Sequence, residues 1–181
     1  MACDFFTVET VWLRTLYVLV FLYLETRRIL GFGVTSNPDG AWTAQQARNL
    51  LIDLGESESA PARIRFLLRD RDAEYTVSFD QVFEAEGADV ALTPFRIPRA
   101  NAHRERWIGG ARRECLDHLL VLGRRHLVQI LVEYVEHHNE HRPHRGLHLR
   151  CPNAASRSAT ASRALPIAGI ERRDRQWLEV V

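Results

Sequence analysis

The chain has 181 residues, 46% of them hydrophobic and 26% charged. That suits one globular domain with its own core, and it excludes a disordered, collagen-like or disulfide-stapled chain. The net charge of +1 hides an asymmetry: residues 1–95 hold 8 Arg against 14 acids, and residues 96–181 hold 16 Arg against 9.

Three strands open the chain. Residues 4–12, 16–25 and 27–35 are rich in Phe, Val, Leu and Thr and are separated by short polar turns, which predicts an antiparallel meander. The unbroken apolar run of residues 16–24 is that of a strand buried on both faces. Asn37-Pro38-Asp39-Gly40 signals a turn. The spacing of Ala47, Leu50, Leu51 and Leu54 then predicts a helix over 42–54, stopped at Gly55. After a polar loop at 56–62, residues 64–68 predict a short strand that ends at Arg69-Asp70-Arg71-Asp72. A helix over 78–86 closes on Gly87, and residues 90–93 form another short strand before Pro94. The last two strands, interleaved with helices, add to the meander in parallel.

The second half is helical. Residues 95–99, with Pro98, predict a loop, and residues 100–122 a long helix weakened at Gly109-Gly110. A further helix covers 127–138, and 141–149 reads as an extended segment rich in His and Arg. From Cys151 to the end Ser, Ala, Arg and Pro dominate, so 151–181 is expected to be a tail with little fixed structure. The fold class is α/β: a mixed five-stranded sheet, three antiparallel strands plus two parallel ones, flanked by helices.

The basic second half predicts a polyanion partner. Cys3, Cys115 and Cys151 form no CxxC pair and read as reduced thiols. The longest apolar run is less than half a membrane span, and no secretory pattern opens the chain. A soluble, cytoplasmic protein with no membrane partner is expected.

Three carboxylates are suggestively placed: Asp4 in the first strand, Asp70 directly after a buried strand, and Glu105 early in the long helix. Groups at the carboxyl ends of strands converge on one rim of an α/β sheet, and hard divalent cations need several converging carboxylate oxygens. With 23 acids in the chain, placement alone does not choose among them. Asp72, Glu9, Glu114 and Asp117 are rivals. Zinc is disfavoured at His137, His138, His141, His144 and His148, because no cysteine stands at ligand spacing and Pro143 breaks the helix.

Four segments add a resemblance. They are Cys3-Asp4-Phe5-Phe6-Thr7; the stretch from Leu68 to Thr76 containing Asp70-Arg71-Asp72; the stretch from Thr93 to Trp107 containing Ala100-Asn101-Ala102-His103-Arg104-Glu105; and His138-Asn139-Glu140-His141-Arg142-Pro143-His144-Arg145-Gly146-Leu147. In this order they resemble the catalytic core of insertion-sequence transposases and retroviral-type integrases, the Asp-Asp-Glu superfamily of ribonuclease H-like fold. The resemblance covers roughly residues 2–150, so a core over 1–150 with 151–181 as the tail is expected. It implies that Asp4, Asp70 and Glu105 are both the catalytic residues and the ligands of two Mg²⁺ or Mn²⁺ ions. The implied reactions are DNA nicking and strand transfer, carried out by multimers on DNA, with no small-molecule substrate. It also implies that Asn139, Arg142, Pro143 and His144 form a structural closing segment.

The Arg-rich face around Glu105 would hold the phosphate backbone. Its candidates are Arg99, Asn101, Arg104, Arg106, Arg112 and Arg113, joined by Arg142, His144 and Arg145. Relatives usually carry a helix-turn-helix region upstream, whereas only three residues precede Asp4. The first strand is therefore expected to be clipped and to fray. Two other readings stand beside the main one: a decayed fragment that binds DNA without catalysis, and a nuclease that hydrolyses without strand transfer.

Overall fold

The computed structural model describes residues 1–57, 61, 64–92 and 98–154. Five strands form one mixed sheet: β1 (Ala2–Glu9), β2 (Thr15–Tyr23), β3 (Arg28–Thr35), β4 (Phe66–Arg69) and β5 (Asp89–Leu92), in the order β3-β2-β1-β4-β5. The pairs β1–β2 and β2–β3 are antiparallel, and β1–β4 and β4–β5 are parallel. This is the predicted meander with its two parallel additions. Among the described residues four helices cover it: α1 (Gly40–Gly55), α2 (Val77–Ala85), α3 (Pro98–Glu114) and α4 (Arg124–Glu140).

Alternation along the strands divides the core. Val18, Val20 and Leu22 of β2 join Phe6 and Val8 of β1 in a cluster with Trp107 and Ala111 of α3 and Leu127, Leu131 and Val135 of α4. On the other face Leu19 and Phe21 meet Ala47 and Leu50 of α1 and Phe79 and Phe83 of α2. Phe79 and Phe83 are wholly buried, and burying each contributes about 2–3 kcal/mol. The turn signal before α1 acts as its cap, with Asp39 Oδ1 accepting from the Trp42 N–H at 2.7 Å. Trp42 and Trp107 pack in the two clusters, whereas Trp12 lies exposed in the β1–β2 turn.

Several boundaries differ from the sequence reading. Pro98 opens α3 instead of lying in a loop; proline suits a first helical turn, where its missing N–H is not needed. The helix runs through Gly109-Gly110 and stops at Glu114, well short of residue 122, and is followed by a 3-10 turn at Leu116–His118. Gly110 marks close packing: a Cβ there would lie 3.2 Å from the Tyr134 hydroxyl of α4. Residues 119–123 are held irregular by tertiary bonding, as the Val121 carbonyl accepts from the Val11 N–H. The segment expected to be extended over 141–149 instead contains a 3-10 turn, Arg145–Leu147, pinched by a His144–Arg150 bridge.

The start of the first strand is tied into the sheet. The Met1 amino group donates to the Phe66 carbonyl at 2.8 Å, the Met1 carbonyl accepts from Leu68 N–H, and Met1 itself is buried. The expected loop at 56–62 and strand at 90–93 fall partly outside the described residues, as does all of the tail beyond residue 154. Among the described residues no helix is long and apolar enough to cross a membrane.

Candidate active site

Asp4 and Asp70 come together by strand register. Ala2 of β1 pairs with Leu68 of β4 in parallel, and each aspartate lies two residues further along. Both therefore reach the same rim on neighbouring strands.

Arg104 of α3 lies between them. Its Nη2 donates to Asp70 Oδ1 at 2.8 Å, its Nη1 donates to the Cys3 carbonyl at 2.7 Å, and its Nε is 3.8 Å from Asp4 Oδ2. The arginine side chain is 1% exposed, against 16% for Asp4 and 31% for Asp70. The cation is thus deeper than its anions. The Asp70 backbone is gripped as well: Arg69 Nη1 donates to its carbonyl at 2.9 Å, while Arg69 itself forms a bidentate pair with Asp80 of α2 at 2.7 and 2.6 Å.

The electrostatics follow from this crowding. Burial pushes the Asp4 carboxyl up to about 6; Arg104 opposes that, Asp70 adds to it, and a hydrogen bond from the Phe5 N–H opposes it again. Asp72 is also raised, first by burial and then by Asp70 and Glu74. Burial alone would lower the Arg104 guanidinium, but the Asp70 hydrogen bond and both carboxylate charges carry it above its ordinary value.

Glu105 does not join the pair. Arg104, Trp107 and Ala111 form the buried stripe of α3, and the next residue along a helix points about 100° away. Glu105 and Arg106 are accordingly exposed. Among the described residues no three His, Cys, Asp or Glu side chains group to hold a metal ion. The two Mg²⁺ or Mn²⁺ ions implied by the resemblance do not fit this arrangement, because a guanidinium bonds the Asp4–Asp70 rim while Glu105 faces elsewhere.

The candidate DNA-contacting residues divide. Arg99 and Asn101 lie in the first turn of α3, with side chains outside the described set. Arg106, Arg113 and Arg145 are exposed. Arg112 donates to the Thr7 carbonyl at 2.8 Å across the Phe6 ring. Arg142 is held by Glu114 in two 2.6 Å bonds, and Arg104 is fully enclosed. Arg27, His103, Arg106, His144 and Arg145 border a cleft of about 400 Å³ with no carboxylate among its lining residues. Sequence reading placed Arg104 on the basic face; its spacing with Trp107 and Ala111 was the signal for burial.

Comparison with solved structures shows what the fold is similar to. A chain of the simian T-cell lymphotropic virus intasome in complex with PP2A regulatory subunit B56 gamma superposes with a TM-score of 0.66 at 10% identity, over 93% of this chain and 56% of that one. The catalytic core domain of BIV integrase superposes with a TM-score of 0.54 at 10% identity, over 87% of this chain and 94% of that one. The fold is that of a ribonuclease H-like integrase catalytic core. Residues 86–152 match the model of the family described as Integrase core domain. The chain is thus similar to integrase cores in fold over most of its length and in sequence over residues 86–152. No curated protein matches the sequence.

Proposed function

We propose that this chain is a DNA-processing core that holds DNA through its Arg-rich second half and cuts and joins phosphodiesters at the rim carrying Asp4 and Asp70, with Glu105 of the adjoining α3 as the third reaction carboxylate once it turns to that rim. The observation that carries the reading is the side-by-side placement of Asp4 and Asp70 on parallel neighbours of a ribonuclease H-like sheet. Residues 1–150 constitute that core and 151–181 an appended tail. The partners are DNA and further copies of this chain. The exposed Arg106, Arg113 and Arg145, with the carboxylate-free cleft, supply sequence-independent phosphate contacts.

The test is a duplex-oligonucleotide assay in Mg²⁺ and in Mn²⁺ with wild type and Asp70→Asn. Nicking and strand-transfer products that vanish in the variant are expected. Undiminished products from Asp70→Asn place the chemistry elsewhere, and hydrolysis without joined products marks a nuclease. A second reading, DNA binding without catalysis, is favoured by the Arg104–Asp70 bond. Salt-sensitive DNA binding with no product in either metal would establish it.

A further inference from the structure

We propose that Arg104 is the resident cation of the Asp4–Asp70 carboxylate pair, and that Arg104 and a divalent metal ion are mutually exclusive occupants of it. The inference rests on the reading of Asp4 and Asp70 as the reaction carboxylates.

Charge is the first argument. Two carboxylates with one buried guanidinium leave a single net negative charge. Adding a divalent ion while the arginine stays would place three positive charges against the two aspartates, with the exposed Asp72 as the further carboxylate close by, and the half-buried site strengthens the repulsion between the cations. Geometry is the second. Magnesium takes carboxylate oxygens at about 2.0–2.1 Å in near-octahedral order. Asp70 Oδ1 instead faces a buried donor at 2.8 Å, so turning it to a metal forfeits that charge-assisted bond.

Arginine cannot simply move aside. Its Nη1 satisfies the buried Cys3 carbonyl, and its backbone is anchored by Trp107 and Ala111 in the core below. The helix register adds a third argument. Glu105 is one residue from Arg104, so rotating the first turns of α3 by about 100° would bring Glu105 towards the aspartates and carry Arg104 out. Arrival of the third carboxylate and departure of the arginine are one movement, and the Trp107–Ala111 stripe resists it.

The experiment is Mn²⁺ titration of the full chain by calorimetry and by thermal melting, on wild type, Arg104→Gln and Arg104→Gln/Asp70→Asn. We expect Arg104→Gln to bind Mn²⁺ at least tenfold more tightly than wild type, with its melt raised by the ion, and the double variant to lose that binding. Equal affinity in wild type and Arg104→Gln, with binding still dependent on Asp70, overturns the exclusion but leaves the carboxylates as a metal site. Absence of Asp70-dependent binding in a folded Arg104→Gln overturns both. If Arg104→Gln does not melt cooperatively, wild type decides by NMR. The Arg104 guanidinium resonances are expected to lose their protection from exchange in step with any Mg²⁺ binding. Their persistence in Mg²⁺-saturated protein overturns the proposal.

Discussion

Asn139 of α4 completes the edge of β3 as a strand would. Its Nδ2 donates to the Ile29 carbonyl and its Oδ1 accepts from the Ile29 N–H, each at 2.9 Å, and the side chain is fully buried. Its own carbonyl accepts from the Asn153 N–H, so one residue ties β3, α4 and the segment after the 3-10 turn together. The closing role implied for Asn139 by the resemblance thus has a physical form. Asn139→Leu would leave a buried N–H and a buried C=O without partners, each costing about 1–3 kcal/mol. A loss of about 2–6 kcal/mol in denaturant unfolding is expected, and a loss below about 1 kcal/mol would show that water or a shifted backbone replaces the amide.

The strands were legible in the sequence because apolar runs of strand length alternate with short turns. The start of α1 was legible because Asp39 in the turn signal is also its cap. The end of α3 was not. Leu116, Leu119, Leu120 and Leu122 continue a helical spacing, yet Glu114 is held by Arg142 and Val121 by Val11, partners more than twenty residues away in sequence. The site was half legible. Strand position only allowed Asp4 and Asp70 among many acids, the resemblance singled them out, and the parallel register brings them to one rim. The inward turn of α3 is a matter of one residue in helix phase, and charge alone argues for the wrong one, since a buried arginine is uncommon unless paired.

Arg69 ties the end of β4 to α2 through Asp80 and at the same time bonds the Asp70 carbonyl. Asp80→Asn should therefore loosen Asp70 without touching it. Bidentate, partly buried pairing of this kind contributes about 1.5–3 kcal/mol. A drop of that size in chemical denaturation is expected. The Asp70 backbone amide should also exchange with solvent faster than in wild type, while amides of β2 keep their protection. Unchanged exchange at Asp70 would confine Asp80 to holding α2.

Cys3 separates from the other two thiols by environment. It is wholly enclosed, and burial pushes its thiol up to about 12, against opposing contributions from Tyr75 and Arg104. Only the thiolate alkylates, so its reactive fraction at pH 8 is about one in ten thousand. Brief iodoacetamide treatment of the native protein should leave Cys3 unmodified while the partly buried Cys151 reacts first and Cys115, also raised by burial, more slowly. Peptide mass spectrometry reads the three sites separately. Rapid native labelling of Cys3 would mean that β1 opens at its start, and with it the carbonyl that Arg104 holds.

His138 predicts the acid limit of the fold. Its Nε2 lies 3.0 Å from the Arg27 carbonyl, which assigns the ring proton to that nitrogen. Burial pushes the imidazole down to about 4, the Arg27 carbonyl opposes this, and His144, Arg142 and His137 add to it. Above pH 6.5 the ring is neutral in both folded and unfolded chains and contributes no pH dependence. As pH falls from 6.5 towards 4, the unfolded chain binds a proton that the folded one refuses, so stability is lost with acid, by about 3 kcal/mol across the window. His138→Asn removes the titrating group and should flatten that slope, whatever offset it adds to the stability at pH 7. Urea unfolding at half-unit steps of pH reads the slope directly. Asp4, raised to about 6, acts in the opposite sense over the lower part of that window, so the difference between the two proteins is the readout: equal slopes in wild type and His138→Asn between pH 6.5 and 4.5 would mean that His138 takes up its proton inside the fold, with the Arg27 contact rearranged to accommodate the charge.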